Sequence, residues 1–332
     1  MSEHSIEVNH LVKKYGGFTA VNNISFTVAK GDFFGFLGPN GAGKTTTLRI
    51  LSTLLRKTSG EVKVAGYDVD REPNAVRRKI GFAMQDISLD NLASGWENLQ
   101  LLGVLYGLSP ADARKRAGEL LGVVGLSKVA DKWVTSYSGG MRRRLDLAGV
   151  LMHDPEILFL DEPTQGLDPQ ARRIIWDYLR KLNNEGSTVV LTTHYMEEAD
   201  ALCRELAFID KGTIVRSGTP AKLKAQLGGE QIILTFGSAD QAEKAIAVVT
   251  PLLEKETPAV TENRLQATVK EAGKIAPKVI TKLESAKLFP ASINITQPTL
   301  EDIFVKLVGH TIQEEDESNL IKGRDPFVEG RM

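Results

Sequence analysis

One short stretch constrains this chain more than any other: Gly38-Pro39-Asn40-Gly41-Ala42-Gly43-Lys44-Thr45-Thr46. It follows an apolar run, Phe33–Leu37, and opens a segment, Thr45–Leu55, that carries Leu48, Leu51 and Leu55 on one helical face. It fits the pattern G-x-x-x-x-G-K-[ST]. Glycines let the backbone turn its N–H groups inward around phosphate oxygens. A helix start beneath them adds about half a positive charge. Lys44 is placed to reach β- and γ-phosphates, and the Thr45 hydroxyl to ligate Mg²⁺. The competing reading is a glycine-rich turn with an exposed lysine, and the order strand, loop, helix argues against it.

Around this loop, strand-like and helix-like segments alternate up to about residue 227. EVNHLVKKY and VNNISFTVAK are β-rich, ILFLD at 157–161 and TVVLTTH at 188–194 are apolar runs, and helical patterns lie between them. Such alternation indicates an α/β fold with a mostly parallel sheet. The stretch from about 92 to 140 changes character and reads as helical. After residue 227 the pattern restarts as a small α+β unit, 228–310. It has strands at QIILTF, Arg264–Val269 and ASINIT, helices over Asp240–Leu253 and 273–286, and a last helix begun by Thr299 with Asp302 three residues on. The tail, 311–332, is polar and aperiodic, and is expected to be disordered.

Composition removes several classes. The 332 residues carry a formal net charge of -1, which provides no general basic field for a nucleic-acid backbone. The single cysteine, Cys203, makes an internal disulfide impossible, and no Cys/His cluster has metal-ligand spacing. A reducing compartment fits best. The N-terminus lacks the basic and apolar regions of a signal peptide. The longest run without a strongly polar residue, Leu101–Leu108, is far short of the ~20 apolar residues of a membrane span. A role at a membrane would therefore be exercised from the aqueous side, with a partner.

Two acids close a strand that reads as buried on both faces, Ile157–Leu160 followed by Asp161 and Glu162. Carboxylates at the carboxyl end of such a strand lie where α/β sheets bind ligands. Asp161 is read as the metal-side acid and Glu162 as the group that polarises the attacking water. His194 ends the next apolar strand, and Gln85 follows IGFAM. By spacing alone neither stands out from a structural residue.

Tyr137-Ser138-Gly139-Gly140-Met141 precedes the helical segment RRRLDLAGVLM and forms a second anion-binding helix start. With these motifs in order, residues 5–225 resemble the nucleotide-binding domain of ABC (ATP-binding cassette) transporters. The resemblance implies a P-loop NTPase cassette: a RecA-like α/β core, an antiparallel β subdomain and a helical subdomain. It also implies roles. Tyr15 stacks on adenine, Gly38 to Thr46 cradle the phosphates, and Gln85 links nucleotide and Mg²⁺ to the helical subdomain. Asp161 serves the metal, Glu162 is the catalytic base and His194 the switch histidine. Ser138, Gly139 and Gly140 bind ATP held by a second copy of the chain, and the Gly166–Pro169 loop, with Asp168, communicates across that homodimer. Tyr137 and Met141 depart from the usual Leu and Gln of the signature.

The variant YSGGMRRRLDLA and the C-terminal PTLEDIFVKL further resemble the ATPases of daunorubicin/doxorubicin-resistance exporters. That implies an ATPase at the cytoplasmic face of the membrane, working with an integral membrane permease subunit and not with nucleic acid. An importer subunit and a non-transport ABC ATPase are the alternatives. Most of the Arg142–Arg144 run is expected on a solvated helix face, and the C-terminal unit is assigned to stabilising or regulating the homodimer.

Overall fold

The computed structural model describes residues 3–225, 229–253, 258–296 and 298–308, so the tail and its expected disorder lie outside the described residues. The chain divides into two compact units, one through Pro220 and one over Ala221–Gly309. The division falls at the start of a short helix, not after it.

In the first unit, β1 (His4–Tyr15) and β2 (Phe18–Ala29) form a long antiparallel hairpin. β3 (Phe33–Leu37) then enters the core and α1 (Lys44–Leu51) leaves the phosphate loop. β4 (Ser59–Val64) and β5 (Tyr67–Asp68) complete an antiparallel sheet of order β2-β1-β4-β5. α2 (Pro73–Lys79) and β6 (Ile80–Ala83) follow, then the helical region of α3 (Gly95–Leu105), α4 (Pro110–Val123) and α5 (Gly139–Val150). β7 (Ile157–Asp161), α6 (Pro169–Asn184), β8 (Thr188–Thr193), α7 (Met196–Leu202), β9 (Glu205–Asp210) and β10 (Thr213–Gly218) finish the unit.

The central sheet runs β10-β9-β3-β8-β7-β6, parallel from β9 to β6 with β10 as an antiparallel edge. β3, β7 and β8 are buried at every position, as strands covered on both faces must be, and the runs at 33–37, 157–160 and 189–191 within them are correspondingly apolar. The α/β expectation therefore holds. Phe36 lies edge-on to Phe26 at 5.0 Å and to Phe34 at 5.1 Å between centroids. Leu48, Ile50 and Leu51 of α1 join the same core. Each such side chain contributes about 1.5–3 kcal/mol of burial. This core holds the phosphate loop between β3 and α1.

Helix α1 ends at Leu51 and not at Leu55. Leu54 N–H donates to Arg49 O at 2.9 Å and Thr53 N–H to Ile50 O at 3.0 Å, the bond pair of a Schellman cap. Thr53 takes the left-handed position, φ 66°, usually filled by glycine, so the sequence gives no stop signal there. α3 begins with a capping box of Ser94 and Glu97.

The second unit contains α8 (Pro220–Ala225), β11 (Glu230–Thr235), α9 (Ala239–Val249), β12 (Ala259–Thr261), β13 (Arg264–Val269), α10 (Ala272–Ser285), β14 (Ser292–Thr296) and α11 (Leu300–Val308). Its antiparallel sheet has the order β12-β13-β11-β14. Ile232, Leu234, Leu265, Val279 and Leu283 form its own core. The helix expected over Asp240–Leu253 gives way after Val249 to a 3-10 turn at Thr250–Leu252, where Pro251 has no N–H to extend it. Thr299 and Asp302 make reciprocal bonds at the start of α11, 2.8 Å from Thr299 N–H and 3.2 Å from Asp302 N–H.

Candidate active site

The loop leaves β3 beside the end of β8, where Gly38 N–H donates to Thr193 O at 3.4 Å. Two of its glycines have no substitute. A Cβ on Gly38 would stand 2.1 Å from the carbonyl oxygen of Ile209, and one on Gly43, at φ 103°, would lie 2.5 Å from Ala20 O. Pro39 and Ala42 are buried, Asn40 and Gly41 exposed, Thr45 half-buried and Thr46 buried. Lys44 is only 4% exposed. Its ammonium donates to Gly38 O at 2.7 Å and Pro39 O at 2.9 Å, and lies 3.6 Å from Glu162 Oε1. The cation thus lies within its own loop.

The end of β7 faces this loop. Asp161 Oδ1 accepts from the hydroxyls of Thr45 at 3.0 Å and Thr192 at 2.6 Å. Burial, reinforced by neighbouring Glu162, pushes the Asp161 carboxyl up, against the opposing pull of Thr192, Thr45 and Lys44. At Glu162 the balance is reversed. Burial raises its carboxyl, but His194 and Lys44 outweigh it and hold the group below its ordinary range. His194 Nδ1 stands 3.2 Å from Glu162 Oε2, and neither atom has another partner. Glu162 is in the left-handed region, φ 47°, a conformation that costs about 1–2 kcal/mol for an L-residue. Its N–H is fixed by Thr192, to the backbone oxygen at 3.2 Å and to the hydroxyl at 3.1 Å.

Lys44, Thr45, Asp161, Glu162 and His194 are thus brought together. Gln85 lies on the exposed chain after β6, with its amide donating to Gln165 Oε1 at 2.6 Å. Tyr15 closes β1, 42% exposed, with Lys13 Nζ 4.8 Å from its ring centroid. Ser138 caps α5, accepting from Met141 N–H at 3.2 Å. Ser138 and Gly139 are exposed, and a Cβ on Gly140 would lie 3.1 Å from Ala171 Cβ, next to the start of α6. Asp168 caps α6, accepting from Gln170 and Ala171 N–H at 2.9 Å each. Tyr137 does not face the signature at all. It is buried, and its hydroxyl donates to Val129 O at 2.7 Å.

Sequence reasoning missed two buried charges here. The Arg142–Arg144 run is not a solvated face. Arg143 is 4% exposed, and Arg144 donates to Val124 O at 2.8 Å. The available signal was helical period, because Arg143 shares a face with Asp146, Leu147 and Val150. The other is Glu198 on α7, which is fully buried. Its Oε1 accepts from Thr164 at 2.8 Å and Trp176 Nε1 at 3.0 Å. Burial pushes its carboxyl up, and the bonds from Thr193, Thr164 and Trp176 and the charge of Arg172 only partly oppose this.

A carboxyl raised by folding binds a proton more tightly in the native state, so its contribution to stability falls as pH rises above the unfolded value. Glu198→Gln keeps an oxygen for Thr164 and Trp176. The variant should lose less stability than the parent between pH 5 and pH 8, read as the difference in Tm. An equal loss in both proteins would show that Glu198 does not titrate in that window.

A phosphate loop between a fully buried strand and a helix, facing two acids at the end of β7, the next strand but one in the same parallel sheet, defines a P-loop nucleotide-binding cassette. The ABC transporter family matches residues 21–165, and the family described as "ATP-binding protein DrrA1-3-like, C-terminal domain" matches residues 218–308. The chain belongs to the ABC transporter ATP-binding proteins with a DrrA-like C-terminal domain. It is 42% identical to a daunorubicin resistance ATP-binding protein, DrrA3, of Streptomyces coeruleorubidus over 93% of this chain and 97% of that protein. It is 38% identical to the Nod factor export ATP-binding protein I of Paraburkholderia xenovorans over 95% of this chain and 100% of that protein. Among solved structures, a dimeric post-hydrolysis ATP-binding cassette bound to ADP and Pi superposes with a TM-score of 0.60 at 30% identity, covering 64% of this chain and 98% of that one.

Proposed function

We propose that the chain binds and hydrolyses ATP between two copies of itself, at the cytoplasmic face of a membrane, and powers export of a lipophilic compound through a separate permease subunit. The observation that carries the chemistry is the cluster of buried Lys44 and Glu162 with half-buried His194, Glu162 lying 3.6 Å from the lysine and 3.2 Å from the histidine. Export rests on relatives whose names state daunorubicin resistance and Nod factor export.

In this reading Tyr15 stacks on adenine and the N–H groups from Gly38 to Thr46 surround the phosphates. Lys44 turns from its loop carbonyls to the β- and γ-phosphates. Glu162, held ionised, accepts a proton from the attacking water, and His194 orients that water. Ser138, Gly139 and Gly140 meet the γ-phosphate held by the second copy, with Asp168 fixing the start of α6 beside them. Gln85 relays the state of the site to the helical region, against which the permease docks.

The residues present fit Mg²⁺. Asp161 and the Thr45 hydroxyl are adjacent hard oxygen donors, and among the described residues no three His, Cys, Asp or Glu side chains are placed to hold a metal ion by themselves. That is the sparse donor set of an ion that completes its shell with water and substrate oxygens. When bound, Mg²⁺ supplies charge neutralisation across the β- and γ-phosphates. Among the described residues no helix is long and apolar enough to cross a membrane, so transport requires the permease.

The test uses the purified full chain. Light scattering should show dimers with ATP and monomers without it, and phosphate release should require Mg²⁺. A chain that fails to bind a fluorescent ATP analogue in equilibrium titration would overturn the proposal.

A further inference from the structure

Arg143 takes no part in the roles above, yet it is buried against the backbone that carries Asp161 and Glu162. Its Nε donates to Pro163 O at 2.9 Å, and Nη2 to Asp161 O at 3.1 Å and Glu162 O at 3.4 Å. Nη1 donates to Met84 O at 2.6 Å and to Asp146 Oδ2 at 3.3 Å. One planar guanidinium therefore holds three consecutive carbonyls from the last residue of β7 onward, the carbonyl before Gln85, and a carboxylate on its own helix. Asp146 in turn accepts from Ser88 N–H at 3.3 Å, a second tie to the chain that carries Gln85.

A buried ion pair is a poor way to gain stability, because apolar packing of the same volume usually does as well. The fork geometry does something else. Glu162 lies in the left-handed region, φ 47°, so its side-chain direction depends on whatever holds that backbone. Thr192 holds it from the amide side, and Arg143 holds it from the carbonyl side. Arg143 also belongs to α5, the helix whose first residues are Gly139 and Gly140. A shift of α5 is therefore felt at the Glu162 turn and at the Gln85 segment through one side chain.

We infer that Arg143 is a positioning residue for hydrolysis, fixing the Glu162 carboxylate and coupling it mechanically to the signature helix and to Gln85. The inference rests on the ATPase reading of this site. Lysine keeps the charge but cannot span the same carbonyls, so it separates charge from geometry.

The experiment compares the full chain with Arg143→Lys and with the double variant Arg143→Gln/Asp146→Asn, which removes both buried charges together and guards against misfolding. Hydrolysis, equilibrium ATP affinity and Tm are measured, with kinetics taken well below each Tm. A reacting group misplaced by about 1 Å costs up to about 100-fold. Both variants should therefore lose at least about tenfold in kcat while ATP affinity stays within about threefold. A folded variant of either kind with kcat within about twofold of the parent would overturn the inference, as would a fall in kcat matched by an equal loss of ATP affinity. If the parent itself hydrolyses no ATP, the ATPase reading falls and takes this inference with it.

Discussion

Replacing Glu162 by Gln will leave ATP binding intact and cut steady-state hydrolysis by about 10²- to 10⁴-fold, the usual contribution of a positioned general base. The substitution is nearly isosteric, so the turn at φ 47° and its bonds to Thr192 and Arg143 need not change. What changes is chemistry. The carboxylate, held ionised against burial by His194 and Lys44, becomes an amide that cannot take a proton from water. Lys44 loses its carboxylate neighbour at 3.6 Å and is freer to turn toward phosphate, so affinity should hold or rise. Since the proposed sandwich opens only after hydrolysis, the variant should persist as an ATP-loaded dimer on size exclusion while the parent returns to monomer. A variant that keeps more than a tenth of the parental kcat would remove Glu162 from the chemistry.

The site was legible in proportion to how contiguous its chemistry is. A phosphate cradle is one unbroken stretch, because consecutive backbone N–H groups build it, and so the motif from Gly38 to Thr46 stands out in the sequence. Asp161 and Glu162 were legible because a fully buried strand leaves an apolar run before them. Residues that act through contacts distant in sequence were not. Arg143 reaches back to Met84 and forward to Pro163, and an arginine run on a helix reads as solvated until the turn beneath it is known. Glu198 was hidden for the same reason, since Thr164 and Trp176 lie on other elements. Tyr137, one of the two departures from the usual signature, is a packing residue. Its hydroxyl stands where any side chain on Gly95 would go, 2.6 Å from a Cβ there. In the fold, element types followed periodicity, whereas the end of α1 depended on a threonine in a left-handed cap, which composition does not signal.

Lys44→Ala separates binding from chemistry at the other end of the same cluster. The ammonium now bonds Gly38 O and Pro39 O, so in the nucleotide-free chain it supports the loop that it later serves. Removing it withdraws charge-assisted bonds to phosphate worth on the order of 2–3 kcal/mol, about 30- to 140-fold in ATP affinity. It also leaves the buried Glu162 carboxylate with His194 as its remaining close partner, a repulsive surface for an incoming γ-phosphate. The variant should stay monomeric at ATP concentrations that dimerise the parent, and its hydrolysis should fall below detection. The two substitutions therefore move the dimer population in opposite directions, although both suppress turnover. A lysine that only braced the loop would instead lower Tm without changing ATP affinity, and titration of the folded variant with a fluorescent ATP analogue decides between the two.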